Sequence, residues 1–100
     1  MEEFAVFLRK LRLNSNYTQT QFAAKLGIDT AALSKIENGK KSLGPDKLSI
    51  ISKEFHKDLD MLKARYFGEK MAGELIFYDC PLETLEILKE KLFSRKDCRK

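Results

Sequence analysis

Apolar positions recur every three or four residues along most of this chain and seldom alternate, which is the spacing of helices rather than strands. Phe4, Phe7, Leu8 and Leu11 form the first stripe, with Arg9, Lys10 and Arg12 between them, so residues 2 to about 13 are predicted to be an amphipathic helix. It should stop at "NSN", because Asn14 and Asn16 tolerate the left-handed conformation and Ser15 favours turns. Thr18 then opens a second helix: "TQTQ" places Gln21 three residues after a threonine, the spacing at which each side chain satisfies the other's free backbone N–H. Phe22, Ala23 and Leu26 make its inner face, and Gly27 ends it by supplying a positive φ.

Asp29 is a good N-cap for a third helix lined by Ala32, Leu33 and Ile36 and closed by Asn38 and Gly39. After the basic turn "KKSLGP", Pro45 and Asp46 suit the first turn of a fourth helix whose inner face is Leu48, Ile51 and Phe55. Asp58 caps a fifth, with Leu59, Leu62 and Tyr66 inward, and the glycines of "FGEKMAGELIFY" point to a joint near Gly68 to Gly73. From Pro81 a last helix carries Leu82, Leu85, Leu88 and Leu92 as a stripe, and the tail "SRKDCRK" is expected to fray. "LIFY" at 75 to 78 is the only short strand candidate. The expected fold is all-α: five helices packed together over residues 1–67, then a linker and a C-terminal helix over 68–100.

Composition narrows the class. One hundred residues suffice for one domain with a core of its own, or one domain and an appendage, and 43% apolar with 34% charged residues is ordinary for a soluble globular chain. The N-terminus is acidic before it is apolar and the apolar runs are short, so neither a signal peptide nor a spanning helix is expected, and the protein is placed in the cytoplasm. Cys80 and Cys98 lie far apart and His56 is alone, so no metal site and no cofactor is expected, and the two thiols read as reduced. Net charge is +4, concentrated at the front: residues 1 to 41 hold seven Lys/Arg against four Asp/Glu, whereas residues 67 to 100 hold seven of each. A polyanion suits the first half. No paired carboxylates, nucleophile–base set or phosphate-cradling loop stands at usable spacing, so an enzyme is not expected.

Two short helices joined by a tight turn containing glycine can place the second of them in the DNA major groove. Ala23, Gly27 and Leu33 allow the close approach that a steep crossing needs. What stays exposed is Thr30, Ala31, Ser34 and Lys35 on the third helix and Gln19 and Thr20 at the start of the second.

The segment "LRLNSNYTQTQFAAKLGIDTAALSKIENGKKSLGPDKLSIISKEF" resembles the lambda-repressor-like helix-turn-helix family. Leu11, Arg12, Thr18, Gln19, Ala23, Leu26 and Gly27 fall at matching positions, as do Leu33 to Glu37, Gly39 and Pro45, and the likeness covers roughly residues 4 to 66. The resemblance implies that Gln19 tethers the second helix to a phosphate and supports a base contact. It also implies that Thr30, Ala31, Ser34 and Lys35 face the groove while Asn38, Lys40 and Lys41 follow the backbone. Arg12 and Glu37 match a pair that is a salt bridge in many relatives, a structural role. One departure matters: residues 30 to 35 hold no Arg, Gln or Asn, so the strong bidentate contacts to guanine or adenine are absent from this helix. Lys35 and Gln19 must carry most direct readout, with DNA shape supplying the rest, or specificity is modest.

The leucine stripe at 82, 85, 88 and 92 spans too few heptads for a coiled coil on its own, so it packs back on its domain or pairs with a second copy. A homodimer is expected either way, with Leu62, Tyr66, Leu75, Leu82, Leu85, Leu88 and Leu92 as its interface, because one small reader buries too little DNA for tight binding. The partner expected is double-stranded DNA carrying a palindromic operator, with no membrane and no small-molecule ligand. The role implied is a transcriptional repressor of nearby genes, of the phage-repressor or restriction-modification-controller kind. The alternative is an antitoxin or adaptor that uses the same fold and its C-terminal helix mainly to grip another protein.

Overall fold

The structure is a computed structural model that describes the backbone of residues 2–98 and the side chains of residues 2–95. It contains six α-helices: α1 (Phe4–Asn14), α2 (Gln19–Leu26), α3 (Thr30–Glu37), α4 (Leu48–Phe55), α5 (Leu59–Phe77) and α6 (Glu83–Cys98). A single 3₁₀ turn at Pro45–Lys47 leads into α4, and no strand occurs among the described residues. The fold is all-α, and "LIFY" is helical through Phe77.

The local signals act as their chemistry dictates. Thr18 Oγ1 accepts from the Gln21 N–H at 3.1 Å and Gln21 Oε1 accepts from the Thr18 N–H at 2.9 Å, the reciprocal pair that starts α2. Asp29 Oδ1 accepts from the Ala32 N–H at 2.6 Å, and Asp58 Oδ2 accepts from the Met61 N–H at 3.1 Å. Gly27, at φ 72°, turns α2 into α3, where a side chain would be strained. Asn16 (φ 61°) and His56 (φ 54°) take the left-handed conformation after α1 and α4. The exposed His56 ends α4, its backbone N–H donating to the Ser52 carbonyl.

The chain divides into two units, residues 1–70 and 71–100. In the first, α2 packs on α3 and α4, and α1 packs on α3. Their shared core includes Phe4, Leu8, Phe22, Leu26, Leu33, Leu48, Ile51 and Leu62, buried on the faces that the three- and four-residue spacing selects. Phe4 meets Tyr66 edge to face at 5.5 Å between ring centroids, and the Arg65 guanidinium lies 4.3 Å over the Phe7 ring, so α5 covers α1. The Tyr66 hydroxyl donates to the Leu43 carbonyl. Burial raises its pKa above the ordinary 10.0, and the negative charge of Asp46 adds to the rise.

Three expectations need correction. Leu62 is fully buried and Tyr66 is 6% exposed, both within the core of residues 1–70, so neither has a surface left for a second chain. No helix break occurs at Gly68 to Gly73: neither glycine has a positive φ, and α5 runs through both. A glycine inside a helix costs only about 1 kcal/mol, which the surrounding Glu69, Lys70, Met71, Ala72 and Leu75 tolerate. The break falls instead at Asp79 (φ 52°), with the Cys80 N–H donating back to the Leu75 carbonyl at 2.9 Å and Pro81 barring further helix. Lastly, α6 continues past Ser94 to Cys98 instead of fraying there. Cys80 is an exposed free thiol, while the Cys98 side chain and all of Arg99 and Lys100 lie outside the described residues.

The second unit holds the end of α5, the Asp79 turn and α6. None of its side chains from residue 71 to 95 is buried, and only Leu75, Thr84 and Leu88 are half-buried. Ile76, Phe77, Leu82 and Phe93 are each at least 70% exposed, and Leu85 and Leu92 also lie open.

Candidate nucleic-acid interface

The candidate surface is built on α3, a helix of barely two turns. Its buried side is Leu33, Ile36 and Glu37; its open side is Ala31 and Lys35, flanked by the half-buried Thr30 and Ser34. The residues chosen from the sequence therefore share one edge, because they are the positions that the 3.6-residue period leaves after the core has taken its own. At the start of α2, Thr20 is exposed and Gln19 half-buried, and the Thr30 hydroxyl lies 3.5 Å from that of Thr20, so the openings of the two helices adjoin. After α3, Asn38, Lys40 and Lys41 are all exposed in the loop. Gly39 turns that loop at φ 75°, and the Lys40 N–H donates to the Lys35 carbonyl at 2.8 Å, which holds the loop to the helix end.

Charge on this edge is one-sided for a structural reason. Residues 30–41 contain three lysines and one carboxylate, and that carboxylate is turned inward. Glu37 Oε2 accepts from Arg12 Nε at 2.8 Å and Oε1 accepts from Arg12 Nη2 at 3.1 Å, with the Glu37 side chain 3% exposed. This is the two-pronged geometry of an arginine–carboxylate pair. Its charge is thus neutralised inside the protein, leaving Lys35, Lys40 and Lys41 exposed at and after the end of α3, without an ion-pair partner among the described residues. Arg12 and Glu37 do link α1 to α3 as an ion pair.

Two contacts lie beyond the reach of sequence reasoning. The Gln19 amide nitrogen donates to Glu37 Oε1 at 3.2 Å, and Arg12 Nη1 donates to the Tyr17 carbonyl at 3.1 Å. The second could not be read from side-chain identity, since it uses backbone; the first joins residues eighteen apart with no periodic signal.

No group of three or more metal-ligating side chains comes together among the described residues, and no described helix is long and apolar enough to cross a membrane. A short helix pair with a glycine turn, a small-residue contact face and an open basic edge is the architecture of a helix-turn-helix DNA-binding domain. The chain belongs to the helix-turn-helix family of lambda-repressor type, whose family model matches residues 8–62, more than half of its length. No curated protein and no solved structure matches it. Members of this family are DNA-binding regulators of transcription and are generally not enzymes.

Proposed function

We propose that the protein is a homodimeric transcriptional repressor that binds a palindromic operator in double-stranded DNA near the genes it controls, in the cytoplasm. The observation that carries this reading is the α3 edge, where the Glu37 carboxylate is sequestered by Arg12 and three lysines stand exposed. Lys35 can donate to guanine O6 and N7, the Thr30 methyl and Ala31 suit a thymine methyl, and Thr20, Asn38, Lys40 and Lys41 suit phosphates. Repression is the sign proposed because a protein seated on a promoter blocks polymerase with no further part. The roles of phage repressor and restriction-modification controller both fit this reading.

Dimerisation is supported by residues 71–95, the end of α5, a turn and α6, without one buried side chain. Leu75, Leu82, Leu85, Leu88 and Leu92 belong to the surface proposed for it. Two copies would read half-sites about one helical turn apart. Selection of bound sequences from random duplexes tests the whole reading: a palindrome with that spacing is expected, and recovery of no preferred sequence would refute it. Within the selected site, Lys35→Ala should lower affinity by about tenfold or more while random duplex binding falls less; equal losses would assign Lys35 to a phosphate.

The same exposed helical segment favours a second reading, in which it grips a different protein, as in an antitoxin or adaptor. Sedimentation of the pure protein separates the two: a dimer at micromolar concentration supports the first, and a monomer that still binds single half-sites supports the second.

A further inference from the structure

The Arg12–Glu37 pair does more than tie α1 to α3, because the carboxylate accepts a third hydrogen bond, from a second residue at the start of α2. Glu37 Oε1, already accepting from Arg12 Nη2 at 3.1 Å, also accepts from the Gln19 amide nitrogen at 3.2 Å. Arg12 is itself held at the far end by donating to the Tyr17 carbonyl at 3.1 Å. A chain of hydrogen bonds thus runs from the backbone just before α2, through a guanidinium on α1 and a carboxylate at the end of α3, back to the first residue of α2.

Each link is directional. The guanidinium is a planar fork that fixes both carboxylate oxygens. A carboxylate can only accept, so the Gln19 nitrogen, never its oxygen, must face Glu37. The rotamer freedom that an unanchored glutamine would lose on meeting DNA is already removed. What the amide keeps for an outside partner is its second N–H and its carbonyl oxygen.

We propose that Glu37 is a positioning residue for DNA binding: clamped by Arg12, its carboxylate holds the Gln19 amide so that the remaining N–H and carbonyl meet the duplex. The inference rests on the DNA-binding reading above and adds to it a role for a residue that itself never touches DNA. The N–H alone suits a phosphate oxygen; the N–H and carbonyl together suit the major-groove edge of adenine.

The test replaces the buried pair by apolar side chains of similar length, Arg12→Leu with Glu37→Met, an exchange that often leaves stability intact. This variant should melt close to the parent protein yet bind the selected palindromic duplex roughly three- to tenfold more weakly, the worth of one hydrogen bond, as should Gln19→Ala. Combining all three changes should cost no more than either alone, because both act through one contact. Unchanged affinity, or losses that simply multiply, would overturn the proposal while leaving the regulator reading intact; a parent protein that binds no duplex at all would remove both. Side-chain ¹⁵N relaxation of Gln19 in the unaltered full chain supplies a readout that does not depend on any variant folding. An ordered amide is expected, and one averaging freely among rotamers would overturn the anchoring. Loss on every duplex would place Gln19 on a phosphate, and loss confined to duplexes with an adenine at one operator position would place it on that base; either supports the role of Glu37.

Discussion

Residues 2–70 and residues 71–95 are both mostly helical, yet they treat their apolar side chains in opposite ways. In the first stretch α1 to α4 and the start of α5 bury Phe22, Leu8, Leu33, Leu62 and their neighbours, and the helix starts at Thr18, Asp29 and Asp58 are closed by side-chain hydrogen bonds. In the second, no described side chain is buried, and Ile76, Phe77, Leu82 and Phe93 face outward. Helical periodicity alone does not make a core: five elements can enclose a volume, whereas two helices can only cover one face of each other. The first region encloses a core of its own, and the second leaves its apolar side chains open.

The sharpest way to break that comparison is to cut one apolar side chain in each region. Phe22→Ala should cost about 3–5 kcal/mol by leaving a cavity among α1, α2 and α4, whereas Leu85→Ala should shift the melting of a dilute sample by no more than about 0.5 kcal/mol. Thermal melts followed by circular dichroism decide it, and equal costs would mean that residues 71–95 have a core after all. Arg12→Ala comes next, at about 3 kcal/mol, because it strands the Glu37 carboxylate inside. The exposed Lys25–Glu54 pair, 3.5 Å apart, makes the control: Lys25→Ala should cost about 0.5 kcal/mol or less in the same melts. Asp29→Ala should cost about 1 kcal/mol by freeing the start of α3.

The smallest effect is one of pH. Tyr66 holds its proton more tightly folded than unfolded, so its contribution is complete below pH 10 and is lost as pH rises through the raised folded value. Stability of the first region should therefore decline in alkali, and Tyr66→Phe should flatten that decline in a denaturant titration repeated from neutral pH upward. An unchanged alkaline slope would place the titrating group elsewhere.

The comparison also explains what the sequence could disclose. The turn at Gly27 and the caps at Thr18 and Asp29 were legible because each depends on residues within a few positions, and so was the division of α3 into an inner and an outer side. The assignment of Leu62 and Tyr66 to a dimer surface failed for a different reason. An apolar stripe records that something covers it, never which chain does so, and here α1 and the loop at Leu43 supply the cover. The glycines at 68 and 73 misled because a glycine permits a turn without imposing one, while Asp79 followed by Pro81 marked the real stop. Gln19, expected to be exposed, is half-buried, and its bond to Glu37 joins two helices through side chains and leaves no periodic trace.

The brevity of α3 has a consequence for how such a protein changes over generations. Within eight residues, Leu33 and Ile36 serve the interior and Ala31 and Lys35 serve the exterior, and none of these four positions does both. Substitutions at 31 and 35 are close to free of folding cost, while those at 33, 36 and 37 are not. If the outer positions read DNA as proposed, lineages can retune which DNA they prefer by drifting there, under a scaffold whose inner positions are barred from drifting with them.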